Sequence, residues 1–288
     1  MADAGSLSIV LAGGGVRTFW SMGVLHTLQN TLPPADHFAG VSAGAAMAMV
    51  QVSGRVLLAR EHFIEATARN RSNFEPRQLL AGKTPFPHAE MMRAALRFVF
   101  ADGGFRRVRT GPPIHILASY LGPRQPPVRT SLAALRAFEQ RARLGELHGP
   151  RTPTAGLGIQ VMNSRSAMDP EQLIDWVERS SSTPPVTPVP RQAGRRYLDG
   201  ALIDNVPIRA LPSAARAGRV LALLCRPQSV SPHPIPTAEG GSVLYLAPRE
   251  EPAVSMWDFT SPEGLRATWD QGVRDGEALR ERVLDLLR

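Results

Sequence analysis

The stretch Ser8–Met49, SIVLAGGGVRTFWSMGVLHTLQNTLPPADHFAGVSAGAAMAM, decides the fold of this chain. It reads as an apolar strand, a glycine turn, a helix, a second strand and a second turn into a small-residue helix. The first apolar run ends in Gly13-Gly14-Gly15, which leaves consecutive backbone N–H groups free at a helix N-terminus, where negative charge is favoured. The second, His37 to Val41, ends in Gly40-Val41-Ser42-Ala43-Gly44. G-x-S-x-G between a strand and a helix lifts a serine Oγ clear of the backbone on a strained turn. A side chain at Gly40 or Gly44 would block the close approach of helix to strand. Ser42 is therefore the candidate nucleophile, with the helix dipole behind it, and the glycine loop is a candidate cradle for an oxyanion. The pattern points to an acyl hydrolase.

Outward from this stretch, Thr18–Leu32 reads as a helix stopped by Pro33-Pro34. Ala43 to about Val52 is a second helix, broken by Gly54, and Arg55–Arg71 resumes helical spacing with Leu58, His62 and Glu65 in phase. Pro85-Phe86-Pro87 is a turn. Ala89–Phe100 is an amphipathic helix with Met91, Ala95 and Phe98 on one side and Arg93 and Arg97 on another, which reads either as a lipid-facing cap or as a core face with a solvated face. Ile114–Leu121 is a strand, Gly122–Thr130 a proline-rich loop, Leu132 to about Leu147 a helix, and Gly149–Gly156 a cluster of breakers. Gly158–Asn163 is a strand, and Pro170–Arg179 is a helix with Asp169 as its N-cap. Arg219–Leu224 and Ser242–Leu246 are the last strands. The closing helix, Pro262–Leu287, reads as interrupted near Gly272 and Gly276. Alternating strands and helices predict one α/β/α domain over residues 1–288, with a central, mostly parallel sheet and a helical cap over 54–111.

Composition bounds the class. With 288 residues, 43% hydrophobic and 20% charged, the chain can bury a substantial core. No apolar run approaches the roughly 20 residues of a membrane-spanning helix. The N-terminus lacks a basic n-region, so no secretory signal is expected. The single cysteine, Cys225, lies at the edge of a strand-like run and reads as a buried structural thiol in a reducing compartment. A cytoplasmic protein that meets its substrate at a membrane surface fits these features. The net charge of +8 is carried almost wholly by arginine, since Lys83 is the one lysine. It reads as attraction to anionic lipid headgroups or as genome composition. Aromatics are 6% and no recognised binding module appears, which argues against a nucleic-acid partner.

A serine hydroxyl needs a base. Asp199, just after Tyr197-Leu198, sits at a strand end, with Gly200-Ala201 allowing close backbone approach. Alone, Asp-Gly reads more simply as a turn. The downstream Asp204-Asn205-Val206-Pro207 extends the pattern.

Together these residues resemble the patatin-like phospholipase family. The resemblance rests on Gly13-Gly14-Gly15-Val16-Arg17, Gly40-Val41-Ser42-Ala43-Gly44 and Asp199-Gly200-Ala201, with flanks Ser180-Ser181-Ser182-Thr183-Pro184 and Asp204-Asn205-Val206-Pro207. The blocks run in family order from Ser8 to Pro207. Thr18 stands where the family's first block ends in glycine, and Gly54 to Ile114 carries no family motif. The resemblance implies a Ser–Asp dyad in which Ser42 attacks an ester carbonyl and Asp199 accepts its proton. It also implies an oxyanion hole from the loop Gly13, Gly14, Gly15, Val16 and Arg17, and a lipid or membrane-surface substrate. Arg17 reads equally as a phosphate contact or as a structural ion pair.

Two rivals stay open. One is an α/β-hydrolase triad of Ser42, Asp199 and His233; the other is a catalytically silent lipid-binding or scaffold protein. Nucleotide readings fail on spacing: Gly13-x-Gly15-x-x-Thr18 lacks the last glycine of a dinucleotide loop, and Gly82-Lys83-Thr84 is preceded by Arg77 where a P-loop needs glycine. His26, His37, His62, His88, His115 and His148 show no ligand spacing. No catalytic metal and no cofactor is expected.

Overall fold

The computed structural model describes residues 5–82, 84–150 and 156–288. Lys83, residues 151–155 of the breaker cluster and the first four residues lie outside them. The strands are β1 (Leu7–Leu11), β2 (His37–Val41), β3 (Ile114–Tyr120), β4 (Gly158–Asn163), β5 (Arg191–Gln192), β6 (Arg195–Asp199), β7 (Arg219–Leu223), β8 (Ile235–Pro236) and β9 (Ser242–Leu246). The helices are α1 (Phe19–Leu28), α2 (Ala43–Ser53), α3 (Val56–Arg69), α4 (His88–Phe100), α5 (Gly104–Thr110), α6 (Pro127–Arg143), α7 (Pro170–Ser180), α8 (Ser213–Arg216) and α9 (Pro262–Leu287). The strands form one mixed sheet. Its centre, β3-β2-β1-β7-β9, is parallel throughout. Antiparallel pairs appear only towards the margins, where β4 and β6 pair β3, β5 pairs β6 and β8 pairs β9.

Side-chain alternation along β1 sorts the two cores. Leu7, Ile9 and Leu11 pack with Trp20, Met22, Met49 and Leu265 on one face. Val10 and Ala12 pack with Val206, Ile208, Leu211 and Ala215 on the other. Helices therefore cover both faces, and the expected α/β/α layering is the observed one.

Four expectations are corrected. First, the helix placed at Thr18–Leu32 is a 3-10 turn, Gly15–Thr18, leading into a shorter α1. Thr18 is buried in a helical conformation with its Oγ1 bonded to Gly15 O at 2.8 Å, so this position needs no glycine. Second, the phase of α3 differs: Ala59, Ile64 and Thr67 are its buried residues, whereas Leu58 is exposed. Third, α6 begins at Pro127, inside the stretch read as loop, because proline is tolerated in a helix's first turn. Fourth, α9 runs unbroken. A Cβ at Gly272 would lie 2.2 Å from Trp20 O, and one at Gly23 would lie 2.3 Å from Trp269 O. These glycines let α1 and α9 touch backbone to backbone, and Trp20 Nε1 donates to the buried Asp275 at 2.8 Å across the contact.

The arginine face of α4 is neither lipid-facing nor free. Arg93 Nε donates to Glu178 at 2.7 Å and its Nη atoms reach Glu171 and Asp175 at 2.8 Å, while Arg97 Nε donates to Glu171 at 2.7 Å. All three acids lie on α7. The opposite side of α4 faces the cavity described next.

Candidate active site

Ser42 follows β2 directly and stands at the N-cap of α2 with φ 55° and ψ −133°. A non-glycine residue at positive φ is strained by about 1–3 kcal/mol and persists only where its surroundings over-determine it. Here they do. A Cβ at Gly44 would lie 2.2 Å from Leu11 O and one at Gly40 2.7 Å from the Ala45 backbone, so the turn closes only with glycine on both sides. The Ser42 N–H donates to Ser180 Oγ at 2.8 Å, and Ser180 Oγ donates to Leu117 O at 2.6 Å. One hydroxyl thus links the elbow to β3.

Asp199 reaches the same point from the opposite direction. β4 and β6 both pair with Ser119 and Tyr120, and β4 and β2 both pair with Ile116 and Leu117. A strand has two edges, so β2 and β6 share the edge of β3 that β4 leaves open. On that edge Val41 partners Leu117 and Asp199 partners Ala118. The parallel strand rising to Ser42 and the antiparallel strand descending to Asp199 meet end to end. Gly200 makes the junction narrow: a Cβ there would lie 2.4 Å from Leu117 O and 2.7 Å from Val41 Cγ2.

The Asp199 carboxylate is 6% exposed. It accepts the Ala201 N–H at 2.8 Å and the Thr183 hydroxyl at 3.4 Å, and its main-chain N–H donates to Ser182 O at 2.7 Å. Burial disfavours its ionised form and pushes its pKa up from 3.8 to about 6. The hydrogen bonds from Ala201, the Ser42 side chain and Thr183 pull the other way and keep the shift from growing.

In the glycine loop, Val16 N–H donates to Met256 O at 3.3 Å and Arg17 N–H to Gly14 O at 3.2 Å. Both amides are spent on backbone, which narrows the expected oxyanion donors to Gly13, Gly14 and Gly15. Gly14 is extended, so space rather than torsion requires glycine there: a Cβ would lie 2.5 Å from Cys225 Cβ. A Cβ at Gly13 would lie 2.8 Å from Asn205 Oδ1 and 3.2 Å from Ser42 Cβ. Asn205 Nδ2 donates to Gly13 O at 3.2 Å and holds the loop beside the serine. Arg17 pairs with Glu251 at 3.6 Å and also lines the cavity.

One cavity contains Ser42, Asp199 and Gly13 to Arg17. Its walls are mainly apolar: Met22, Ala46 and Val50 from α1 and α2, Phe63 from α3, Met92, Leu96 and Val99 from α4, and Leu135 and Phe138 from α6. His88, Trp257 and Phe259 also line it, and of these three only Trp257 is exposed. His233 is not brought to this site: its side chain is 78% exposed and pairs with Asp285 on α9 at 3.4 Å. The triad reading therefore loses its third member. His88 does line the cavity, yet its Nε2 is engaged with Trp257 O at 2.9 Å and burial lowers its pKa. Among the described residues no group of three or more His, Cys, Asp or Glu is placed to hold a metal ion.

Sequence reasoning passed over the roles of Ser180, Thr183 and Asn205. All three stand in stretches already noted as flanks of the motifs, which was the available signal, but their partners lie far away in the chain.

The arrangement defines a class: a three-layer α/β protein with a serine on a strained strand-to-helix elbow, a buried carboxylate at its side and a glycine loop above. The family model described as patatin-like phospholipase matches residues 9–212, and the chain belongs to that family, one of lipid hydrolases. Among solved structures, VipD from Legionella pneumophila is similar at 12% identity and a TM-score of 0.47, over 97% of this chain and 67% of that one. No curated protein matches. Among the described residues no helix is long and apolar enough to cross a membrane.

Proposed function

We propose that this protein hydrolyses carboxylic esters of lipids through an acyl-serine intermediate, with Ser42 and Asp199 as a catalytic dyad. The reading is carried by the end-to-end meeting of β2 and β6, which sets a strained serine against a buried carboxylate inside one apolar cavity. Ser42 Oγ attacks the ester carbonyl carbon and its proton passes to Asp199. The carbonyl oxygen becomes an oxyanion beneath the Gly13–Gly15 amides, where one donor is worth roughly 3–4 kcal/mol. Collapse expels the alcohol, which takes the proton back from Asp199. A water then attacks the acyl-serine, giving its proton to Asp199, and the fatty acid leaves as Ser42 regains its hydrogen.

A free aspartate, with pKa about 4, is a poor base at neutral pH. The rise to about 6 places Asp199 nearer the operating range while leaving it mostly ionised at pH 7. The apolar walls from α3 and α4 fit an acyl chain, which supports reading part of 54–111 as the cap that sets chain length. Tryptophan at Met92 or Val99 is expected to shorten the preferred chain.

The direct test is fluorophosphonate labelling followed by mass spectrometry of products from a mixed lipid extract. Wild type should label and release fatty acid, and Ser42→Ala should do neither. Full activity in Asp199→Asn, or its loss in His233→Ala, would overturn the dyad. An unlabelled wild type would favour a silent lipid-binding protein.

A further inference from the structure

Beyond α3 the chain presents apolar side chains to solvent for which folding gives no reason. Phe74 is 51% exposed, Leu79 58% and Leu80 92%. The last two sit on a 3-10 turn, Pro76–Ala81. The same segment carries Arg69, Arg71 and Arg77, all exposed. Against these the segment carries one acid, Glu75, which accepts a hydrogen bond from Gln78 at 3.3 Å, while Glu65 of α3 faces Arg69 at 3.8 Å. An apolar tip flanked by an excess of arginine suits the boundary between headgroups and acyl chains of an anionic bilayer.

Two asparagines fasten this segment to the cavity wall. Asn70 Nδ2 donates to Phe259 O at 2.8 Å, and Asn73 accepts the Phe259 N–H at 2.8 Å and donates to Asp258 at 3.2 Å. A ring chain runs the same way: Phe74 contacts Phe86 at 5.4 Å, Phe86 contacts His88 at 6.1 Å, and His88 contacts Trp257 at 5.8 Å. His88, Trp257 and Phe259 line the cavity. The exposed Leu57 and Leu58 lie at the other end of α3, roughly 18 Å away along the helix, and stand apart from this patch.

We propose that Arg69–Leu80 is the surface on which this protein seats on an anionic lipid bilayer, with Leu79 and Leu80 inserted and Trp257 of the cavity wall held near the headgroup level. Delivery of a lipid chain from that surface into the cavity rests on the hydrolase reading above; the seating itself does not.

The test is co-sedimentation of the full chain with vesicles of phosphatidylcholine alone or mixed with phosphatidylglycerol, across a salt series. Wild type should bind the mixed vesicles, release with salt, and bind pure phosphatidylcholine far less. Leu79→Asp/Leu80→Asp should weaken binding about tenfold or more. Arg71→Gln/Arg77→Gln should weaken it about thirtyfold on mixed vesicles and flatten the salt dependence. Trp257, the most exposed of the four tryptophans, should shift its emission to the blue on binding. Both variants alter side chains outside the cavity lining and should hydrolyse a soluble short ester at the wild-type rate. Wild-type binding by both variants, or binding indifferent to phosphatidylglycerol, would overturn the proposal. So would a dimer that Leu79→Asp/Leu80→Asp splits without any vesicle binding, since a second copy would then own the surface. Vesicle binding without ester hydrolysis or fluorophosphonate labelling would sink the hydrolase reading and leave the seating intact.

Discussion

Two residues with nucleophilic atoms flank the same glycine loop, beyond strands on either side of β1. Ser42 follows β2 and Cys225 lies two residues beyond β7; both line the cavity. By intrinsic chemistry the thiol is the better nucleophile, yet its surroundings silence it. Burial pushes its pKa up from 9.0 to about 11, although weak contacts to Ser21 and nearby arginines oppose the rise. At pH 7 such a thiol is ionised to about one part in ten thousand. Ser42 has the poorer atom and the better setting: a strained elbow, a carboxylate at its side and a helix N-terminus beneath. On the proposed dyad, the fold rather than the element selects the nucleophile.

The sharpest way to break this contrast is to remove the carboxylate. Asp199→Asn should lower kcat by about 10⁴-fold with little change in KM, a loss typical of a disabled partner to a serine nucleophile. Next comes the wall between the two residues. Gly14→Ala drives a Cβ into Cys225 and should cost about 10²–10³-fold in kcat by displacing the proposed oxyanion donors. Cys225→Gly in the same chain should restore most of it. Failure of that rescue would mean the loop needs glycine for another reason.

The pH dependence sharpens the Asp199 side. The proposed dyad requires the ionised carboxylate, so kcat/KM should rise through an apparent pKa of about 6 and level off above it. Stability runs the other way. Because the folded pKa is raised above 3.8, this carboxyl leaves the fold unburdened below the unfolded value and destabilises it as pH rises through about 6. Asp199→Asn should therefore unfold at higher urea than wild type, by a gap that widens from about pH 4 to pH 7 and reaches at most roughly 3 kcal/mol. The smallest effect belongs to the thiol. Cys225→Ala should stay within about twofold of wild-type activity, and native protein should resist iodoacetamide at pH 7. Rapid alkylation would erase the contrast.

Much of this was legible from local pattern. The elbow and the glycine loop are contiguous motifs whose strand and helix neighbours read from apolar spacing. The parallel centre of the sheet followed from alternating elements. What escaped depends on partners distant in sequence. Nothing in Asp199-Gly200-Ala201 says that β6 arrives antiparallel on the edge β2 has vacated; β3 decides that. Gly272 and Gly276 look like breakers until Trp20, Val24 and Thr27 of α1 are seen against them. Arg93 and Arg97 look unpartnered until α7 supplies three acids. Ser180 looks like one of three serines, yet only its hydroxyl spans Ser42 and Leu117.

The contact of α9 with α1 has a consequence for any shortened version of this protein. The matched family region stops at residue 212, and the final helix lies wholly beyond it. That helix nevertheless backs α1, and α1 begins where the glycine loop ends. Trimming the chain to its recognisable portion would strip that helix from behind the loop and take β7 and β9 out of the parallel centre of the sheet, while leaving Ser42, Asp199 and the glycine loop in the sequence. An inert truncation would then report a lost scaffold, not missing chemistry.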